Sequence, residues 1–543
     1  MISICHNTID QASLDGIRHF VERFGIPVEI NPPGKSDIVI SYGNCARGGD
    51  FTIRVAEHLI RDEFCGEVLS RSGSAFICEV PENIDVSDEI IAYYQKNADY
   101  FPCIARKAKE VHIGVDIFRE TGSILSGHLE GIHASLEKET KRKIATRPSM
   151  DFLEFLLFDS ILAGCRELNI PLVQKSFWPD AKPFAVCLTH DVDELMKTYQ
   201  WISRPFRYLS RRDIAGVKNQ VSSLAEKIRG FEPYYTYDDI IQIEQNMGAK
   251  STYYILKESG KANLRSKTTW YLYGRNRSLK NPKVKKLIRQ LRENGDEVAV
   301  HGSYFSFNDP KLLKEEVREL GELTQEEILG TRQHNLNLEI PSTWRFQEDA
   351  GLKYDASLGF HEMPGFRWGT SFPFHPVIPG RPDPILEIPL IIMDICLESS
   401  KAPERDCLRI AEEVLRFNGA LTLLWHPPVF NEREYPGLRT TYISLTNYCK
   451  DRGAWIARAC ELYKWIDQRN VRSFQTTFDP DGKVLHIFAD GNETEQYFTL
   501  YLPVGMTCSI PSGNAKIIKN AGNIVFIKTL LSGNDGEVTV KLT

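Results

Sequence analysis

From residue 184 onward, short apolar runs alternate with segments of helical spacing, and this alternation constrains the fold more than any other feature. Phe184-Ala-Val-Cys-Leu-Thr, Lys250-Ser-Thr-Tyr-Tyr-Ile-Leu, Glu297-Val-Ala-Val-His-Gly, Leu386-Glu-Ile-Pro-Leu-Ile-Ile and Ala420-Leu-Thr-Leu-Leu-Trp-His read as strands. Asp239–Met247 and Asn281–Asn294 read as helices between them. Strands that are apolar throughout and separated by helices predict a parallel sheet, open or closed into a barrel.

In such a sheet, chemistry collects at the carboxyl ends of the strands. The first run ends in Leu188-Thr-His-Asp-Val-Asp193, the third in Val300-His301-Gly-Ser-Tyr, and the last in Leu423-Leu-Trp-His426-Pro. Three strands thus deliver Asp or His to one face. Of the 13 histidines, His190, His301, His334, His361, His375 and His426 fall between 190 and 426. Neutral imidazoles with one carboxylate suit a borderline divalent cation and leave a position open for water. Bland readings stand beside these. A strand-end Asp is often a helix N-cap, and a buried His is often a satisfied structural group. His190, His361 and His375 fit the structural role better, and so does Glu387.

These motifs resemble the polysaccharide deacetylases of the NodB-homology family, specifically a divergent branch with an extra N-terminal domain. In that family the first strand ends in Thr-Phe-Asp-Asp-Gly. Thr189-His-Asp191-Val-Asp193 is similar, with one residue inserted between the carboxylates. Asn294–His301 is similar to the approach to the family's second motif, and Leu424-Trp-His426 to its closing Leu-x-His. The similarity spans residues 183–465, about half of the chain. It implies a distorted (β/α) barrel and a metal-dependent N-deacetylase that hydrolyses the acetamide of an N-acetylated amino sugar. It further implies Asp191 as general base, His426 as general acid and Arg332 as the group orienting Asp191. Asp193 and His301 would be metal ligands. Leu424 would line the acetyl pocket, with Trp425 and Tyr304 as further substrate contacts.

The family's second metal-binding histidine would fall at position 305, where this chain has Phe305. His334, in Gly330-Thr-Arg332-Gln-His334, is the expected replacement, with Ser306 and His375 as weaker candidates. The expected metal is zinc, with cobalt, nickel, manganese or iron as alternatives. Two other functions remain open: a catalytically inactive glycan-binding or assembly module, and a metal hydrolase of the same fold acting on another amide.

The remainder divides by pattern. Residues 1–110 alternate β-like runs with helices such as Ser13–Phe24 and predict a small α/β domain. Residues 111–180 read as mostly helical, 181–470 as the barrel, and 471–543 as a small all-β sandwich. Tyr497, Phe498 or Tyr501 in that last module could contact sugar, although packing is the commoner use. A formal net charge of -6 argues against nucleic-acid binding by bulk charge. The 12 cysteines form no C-x-x-C pair, and the first residues lack a basic and apolar leader pattern, so the expectation is reduced thiols and a cytoplasmic location. No run is long enough to span a bilayer. Trp201–Arg212 mixes aromatics with Arg204, Arg207, Arg211 and Arg212. It is expected to be an amphipathic helix with a solvated basic face, with an anionic ligand or peripheral membrane contact as the other reading. Oligomeric state has no sequence signal.

Overall fold

All eight residues of the Ala185–Val192 strand are buried. A strand with no solvated side must be covered on both faces, which is the situation of a parallel sheet flanked by helices. A computed structural model describes the chain except residues 58–60, 80, 83, 85–88, 97, 260–266, 383, 399, 490–494, 512–514 and 531–535. Contacts divide it into two units. One comprises Met1–Pro183, Trp368–Thr370 and Trp465–Thr543; the other comprises Phe184–Arg367 and Ser371–Lys464.

The second unit is an α/β fold around a curled parallel sheet. Its strands run in the order Leu386–Glu387, Tyr354–Asp355, Gly330–Gln333, Glu297–Gly302, Thr252–Leu256, Ala185–Val192, Ala420–Leu424 and Ile392–Met393, with Trp455–Ala457 beside the start of Ala185–Val192. The two outermost strands are joined by residues 388–391 alone, so the sheet curls until its edges approach within about 18 Å. The apolar run 386–392 therefore does not form one strand. Pro389 lacks the N–H that an interior ladder needs. The run splits, with Ile388 N–H bonding Asp355 on one side and Ile391 N–H bonding Thr422 on the other. The helices Tyr237–Met247 and Pro282–Asn294 fall where the spacing predicts them. Register then aligns the strand ends: Thr189 pairs with Leu424, Leu256 with His301, and His301 with Arg332.

In the first unit, Ile2–Cys5, Val28–Ile30, Ile38–Tyr42, Phe51–Val55 and Glu110–Ile113 pair in parallel. Four antiparallel strands extend that sheet. The helix Gln11–Phe24 starts on the Asp10 cap and stops at Gly25, whose φ of 56° suits glycine. Its buried Arg23 reaches Asp151 at 2.8 Å and Glu154 at 2.5 Å on the helix Ser149–Glu167. The C-terminal residues form two four-stranded antiparallel sheets, one of which takes the distant strand Leu172–Lys175 against Glu495–Tyr501. Both sheets contribute to one apolar core, including Val173, Ile487, Phe498, Ile527 and Val540. Phe498 is thus core, and the Tyr501 hydroxyl donates to Gln174. The ten cysteines described are free thiols, and Cys65 and Cys78 lie outside the described side chains. No described helix is long and apolar enough to cross a membrane.

Candidate active site

The carboxyl ends of the curled sheet surround a cavity of about 530 Å³. Asp191, Asp193, His301, His334, Leu424 and His426 all line it. Arg332 lies beneath it, fully buried. Its Nη1 donates to Asp191 Oδ1 at 2.9 Å and to Thr189 Oγ1 at 2.7 Å, while Nε donates to the Ala356 carbonyl. The guanidinium also packs on the Tyr254 ring, 4.4 Å from its centroid. A charge held by so many partners fixes the Asp191 carboxylate in one orientation.

Asp193, His301 and His334 each offer a ligand atom, and these atoms lie within 4.8 Å of one another. Both imidazoles are oriented by their other nitrogen. His301 Nδ1 donates to the Arg332 carbonyl at 2.7 Å, and His334 Nδ1 donates to Glu258 Oε2 at 2.8 Å. That arrangement is characteristic of ligating histidines, because it commits one nitrogen as N–H and aims the other at the metal. His301 Nε2 and His334 Nε2 sit 3.2 and 3.9 Å from Asp193 Oδ1. That oxygen is buried, and among the described residues no well-aligned donor reaches it. Acceptor faces acceptor across the gap, which is where a cation fits.

The electrostatics of Asp193 and His334 agree with this geometry. Burial alone would raise the Asp193 carboxyl, yet Arg275, His334 and His301 together hold it well below the usual carboxylate range. Burial lowers His334 despite its two carboxylate neighbours, which favours the neutral, ligating form. Burial also opposes charge on His301, but Asp191 and Asp193 outweigh it and raise that group.

His426 lines the same cavity from the end of the neighbouring strand Ala420–Leu424. Its Nδ1 donates to Asp394 Oδ1 at 2.9 Å, and its backbone N–H donates to Asp394 Oδ2 at 2.5 Å. Burial pulls the imidazole down, but the Asp394 carboxylate prevails and raises it to about 9. Leu424 belongs to an apolar cluster with Leu336, Leu390, Met393 and Cys396. Leu336 and Met393 line the cavity beside it.

Other residues singled out in the sequence lie elsewhere. Trp425 is fully buried, donates its indole N–H to the Leu438 carbonyl and is not among the cavity-lining residues. Tyr304 does not line the cavity either; its ring meets Phe305 edge-on. His190 points away from the cavity, between the Trp425 carbonyl and Glu244. Ser306 bonds the Ser303 carbonyl and Gln333, and His375 bonds the Pro384 carbonyl. His361 lines the cavity and bonds the Asn335 carbonyl through Nε2.

Three contributors are absent from the sequence reading. Glu258 and Asp394 each follow a strand closely, after Leu256 and Met393, so the strand-end criterion that selects Asp191 would have found them. Arg275, 2.9 Å from Asp193 Oδ2 and 3.5 Å from Glu194, comes from a loop and carries no such signal.

No family model and no curated protein matches the chain. Over about half its length the chain is similar to polysaccharide deacetylases of known structure. One is a candidate polysaccharide deacetylase from Mycobacterium smegmatis, 15% identical over 54% of this chain and 94% of that one, with a TM-score of 0.37. Another is the peptidoglycan deacetylase PdaC from Bacillus subtilis, 10% identical over 54% and 96%, with a TM-score of 0.27. A CE4-family pseudoenzyme from Bacillus anthracis is 11% identical over 52% and 66%, also at 0.27. At such identities and scores, neither the deacetylases nor the pseudoenzyme speaks for the chemistry of this chain; its side chains do.

Proposed function

We propose that the protein is a metal-dependent N-deacetylase that hydrolyses the acetamide of an N-acetylated amino sugar. The observation that carries this reading is that a proton acceptor, a candidate metal cluster and a proton donor line one cavity. Asp191 stands beside the Asp193–His301–His334 cluster, and His426, whose imidazole Asp394 holds in the charged form, lines the same cavity.

The residues fit a divalent cation, zinc first among the first-row ions, held by Asp193 Oδ1, His301 Nε2 and His334 Nε2. A cation there supplies Lewis acidity, lowering the pKa of water and drawing electron density from the acetamide carbonyl. Asp191 accepts the proton of the attacking water through the oxygen that Arg332 leaves free. As the new C–O bond forms at the carbonyl carbon, the C=O π pair moves onto the carbonyl oxygen. That pair re-forms the double bond as the C–N bond breaks and its electron pair leaves with the nitrogen. His426 donates its Nε2 proton to the departing nitrogen, so that acetate and a free amine leave. Asp394 keeps that proton in place at neutral pH. Leu424, Leu336 and Met393 supply an apolar wall suited to the acetyl methyl.

Acetate release from N-acetylated mono- and oligosaccharides, free and lipid-linked, tests the proposal. The metal-stripped protein is expected to be inactive and to recover on reloading. A metal-loaded protein silent across the panel would remove the sugar-deacetylase reading.

A further inference from the structure

Two helices inserted after the first strand of the sheet, Gln200–Ser210 and Ile214–Ile228, are amphipathic in the reverse of the usual sense. A helix on a globular protein normally buries its apolar stripe. Here the buried positions are polar. Arg204 reaches Glu398 at 3.3 Å and Glu434 at 3.7 Å. Gln220 Nε2 donates to Glu434 Oε2 at 3.0 Å, Ser223 donates to Glu434, and Lys197 Nζ meets Glu434 Oε1 at 2.5 Å. The opposite faces are apolar and exposed. Ile202, Phe206 and Leu209 share one side of the first helix, and Ile214, Val221 and Ile228 one side of the second. Ile202 and Ile228 are each 79% exposed and Phe206 is 73% exposed. Of the four arginines expected on a solvated basic face, Arg207, Arg211 and Arg212 are exposed and only Arg204 is buried; what the sequence expectation lacks is the exposed apolar stripe beside them. The reason is Glu434, a buried carboxylate that recruits the helices' polar sides.

The rim of the apolar face is basic. Arg211, Arg212, Lys218, Lys227 and Arg229 are exposed around it. Residues 200–231 carry seven basic and two acidic side chains, in a chain whose formal net charge is -6. An exposed apolar stripe rimmed by Lys and Arg matches an anionic bilayer, where the apolar side chains enter the acyl boundary and the cations meet the head groups. A second copy fits poorly, because a two-fold contact would bring the same basic rim against itself. The first helix is also a wall of the cavity, through Gln200, Ser203, Arg204 and Arg207. Its two faces thus place the cavity next to the apolar stripe.

We propose that this hairpin lies in the head-group layer of an anionic membrane, and that the acetamido sugar entering the cavity is the head group of a lipid. The second clause rests on the deacetylase reading; the first does not. Co-sedimentation with phosphatidylcholine vesicles, with and without phosphatidylglycerol, tests the docking. Binding is expected to be roughly tenfold or more tighter with phosphatidylglycerol, to weaken with salt, and to fall by a similar factor in Phe206→Glu/Ile228→Glu. Both sites are exposed, so that variant is expected to keep the wild-type circular dichroism. No binding to either vesicle would overturn the docking. So would a doubled mass by sedimentation that Phe206→Glu/Ile228→Glu halves, since the stripe would then serve a dimer. Acetate release is compared between N-acetylglucosamine on a dialkyl lipid in those vesicles and the free sugar. A preference for the lipid form that the variant removes supports the substrate class, and equal rates overturn it. Vesicle binding without acetate from either form would leave the docking standing and count against the deacetylase reading. Acetate without vesicle binding would do the converse.

Discussion

Glu258 Oε2 accepts the Nδ1 proton of His334 at 2.8 Å and leaves Nε2 to face Asp193. This buried carboxylate sets the tautomer that the proposed ligand role of His334 requires. Glu258→Gln is expected to lower divalent-metal affinity about 10- to 100-fold, as loss of an orienting partner does elsewhere. Competition with a fluorescent chelator measures it. Unchanged affinity would take His334 out of the ligand set.

The two strand-end aspartates are expected to separate by readout. Asp191→Asn removes the proton acceptor and is expected to cost turnover about 10²- to 10⁴-fold while the bound metal remains. Asp193→Asn is expected to lose the metal itself. Elemental analysis of both purified variants, beside their acetate release, would expose a swap of the two roles.

His426 supplies a pH signature. In the metal-free protein its raised pKa, about 9, is expected to appear directly in an NMR titration of the imidazole. In Asp394→Asn the main opposition to burial is lost, with only Asp193 and Asp191 left to raise the imidazole, and the value is expected to fall. Because the folded value is raised, the pair's contribution to stability is complete below about pH 6.5 and is lost as pH climbs through about 9. Deacetylation is expected to lose its alkaline limb in the same direction, and the limb should move toward neutral pH in the variant.

Gly330 opens the strand that carries Arg332, and a Cβ there would lie 1.9 Å from the Tyr354 ring. Tyr354 is itself buried and donates to Glu297 at 2.8 Å, so it cannot withdraw freely. Gly330→Ala is expected to destabilise the fold by about 1–3 kcal/mol through overpacking. Chemical denaturation measures it, and a midpoint equal to wild type would mean that the ring moves aside at no cost.

Much of the site was legible because one rule, polar residues at the ends of apolar strands, applies wherever a parallel sheet can be inferred. That rule marks Asp191, Asp193, His301 and His426, and it would also have marked Glu258 and Asp394. It misses Arg275, which reaches Asp193 from a loop. It also brings in Trp425, because alternation along the strand end turns that side chain toward Leu438 and away from the cavity.

Local pattern also determined the helices Tyr237–Met247 and Pro282–Asn294 and the buried strands they separate, since periodicity and burial are properties of neighbouring residues. Pairing over long separations was left to the tertiary structure. Nothing within Leu172–Lys175 signals its partner Glu495–Tyr501, and nothing within 386–392 says that Pro389 divides the run between the two edges of a curled sheet. The direction of the Gln200–Ile228 hairpin was decided in the same way. Its sequence is amphipathic in either orientation. Only the buried Glu434, more than 200 residues downstream, turns the polar side inward and leaves Phe206 and Ile228 in solvent. A buried carboxylate left unpaired is costly, and the polar sides of the helices, with Lys197, supply the partners of Glu434.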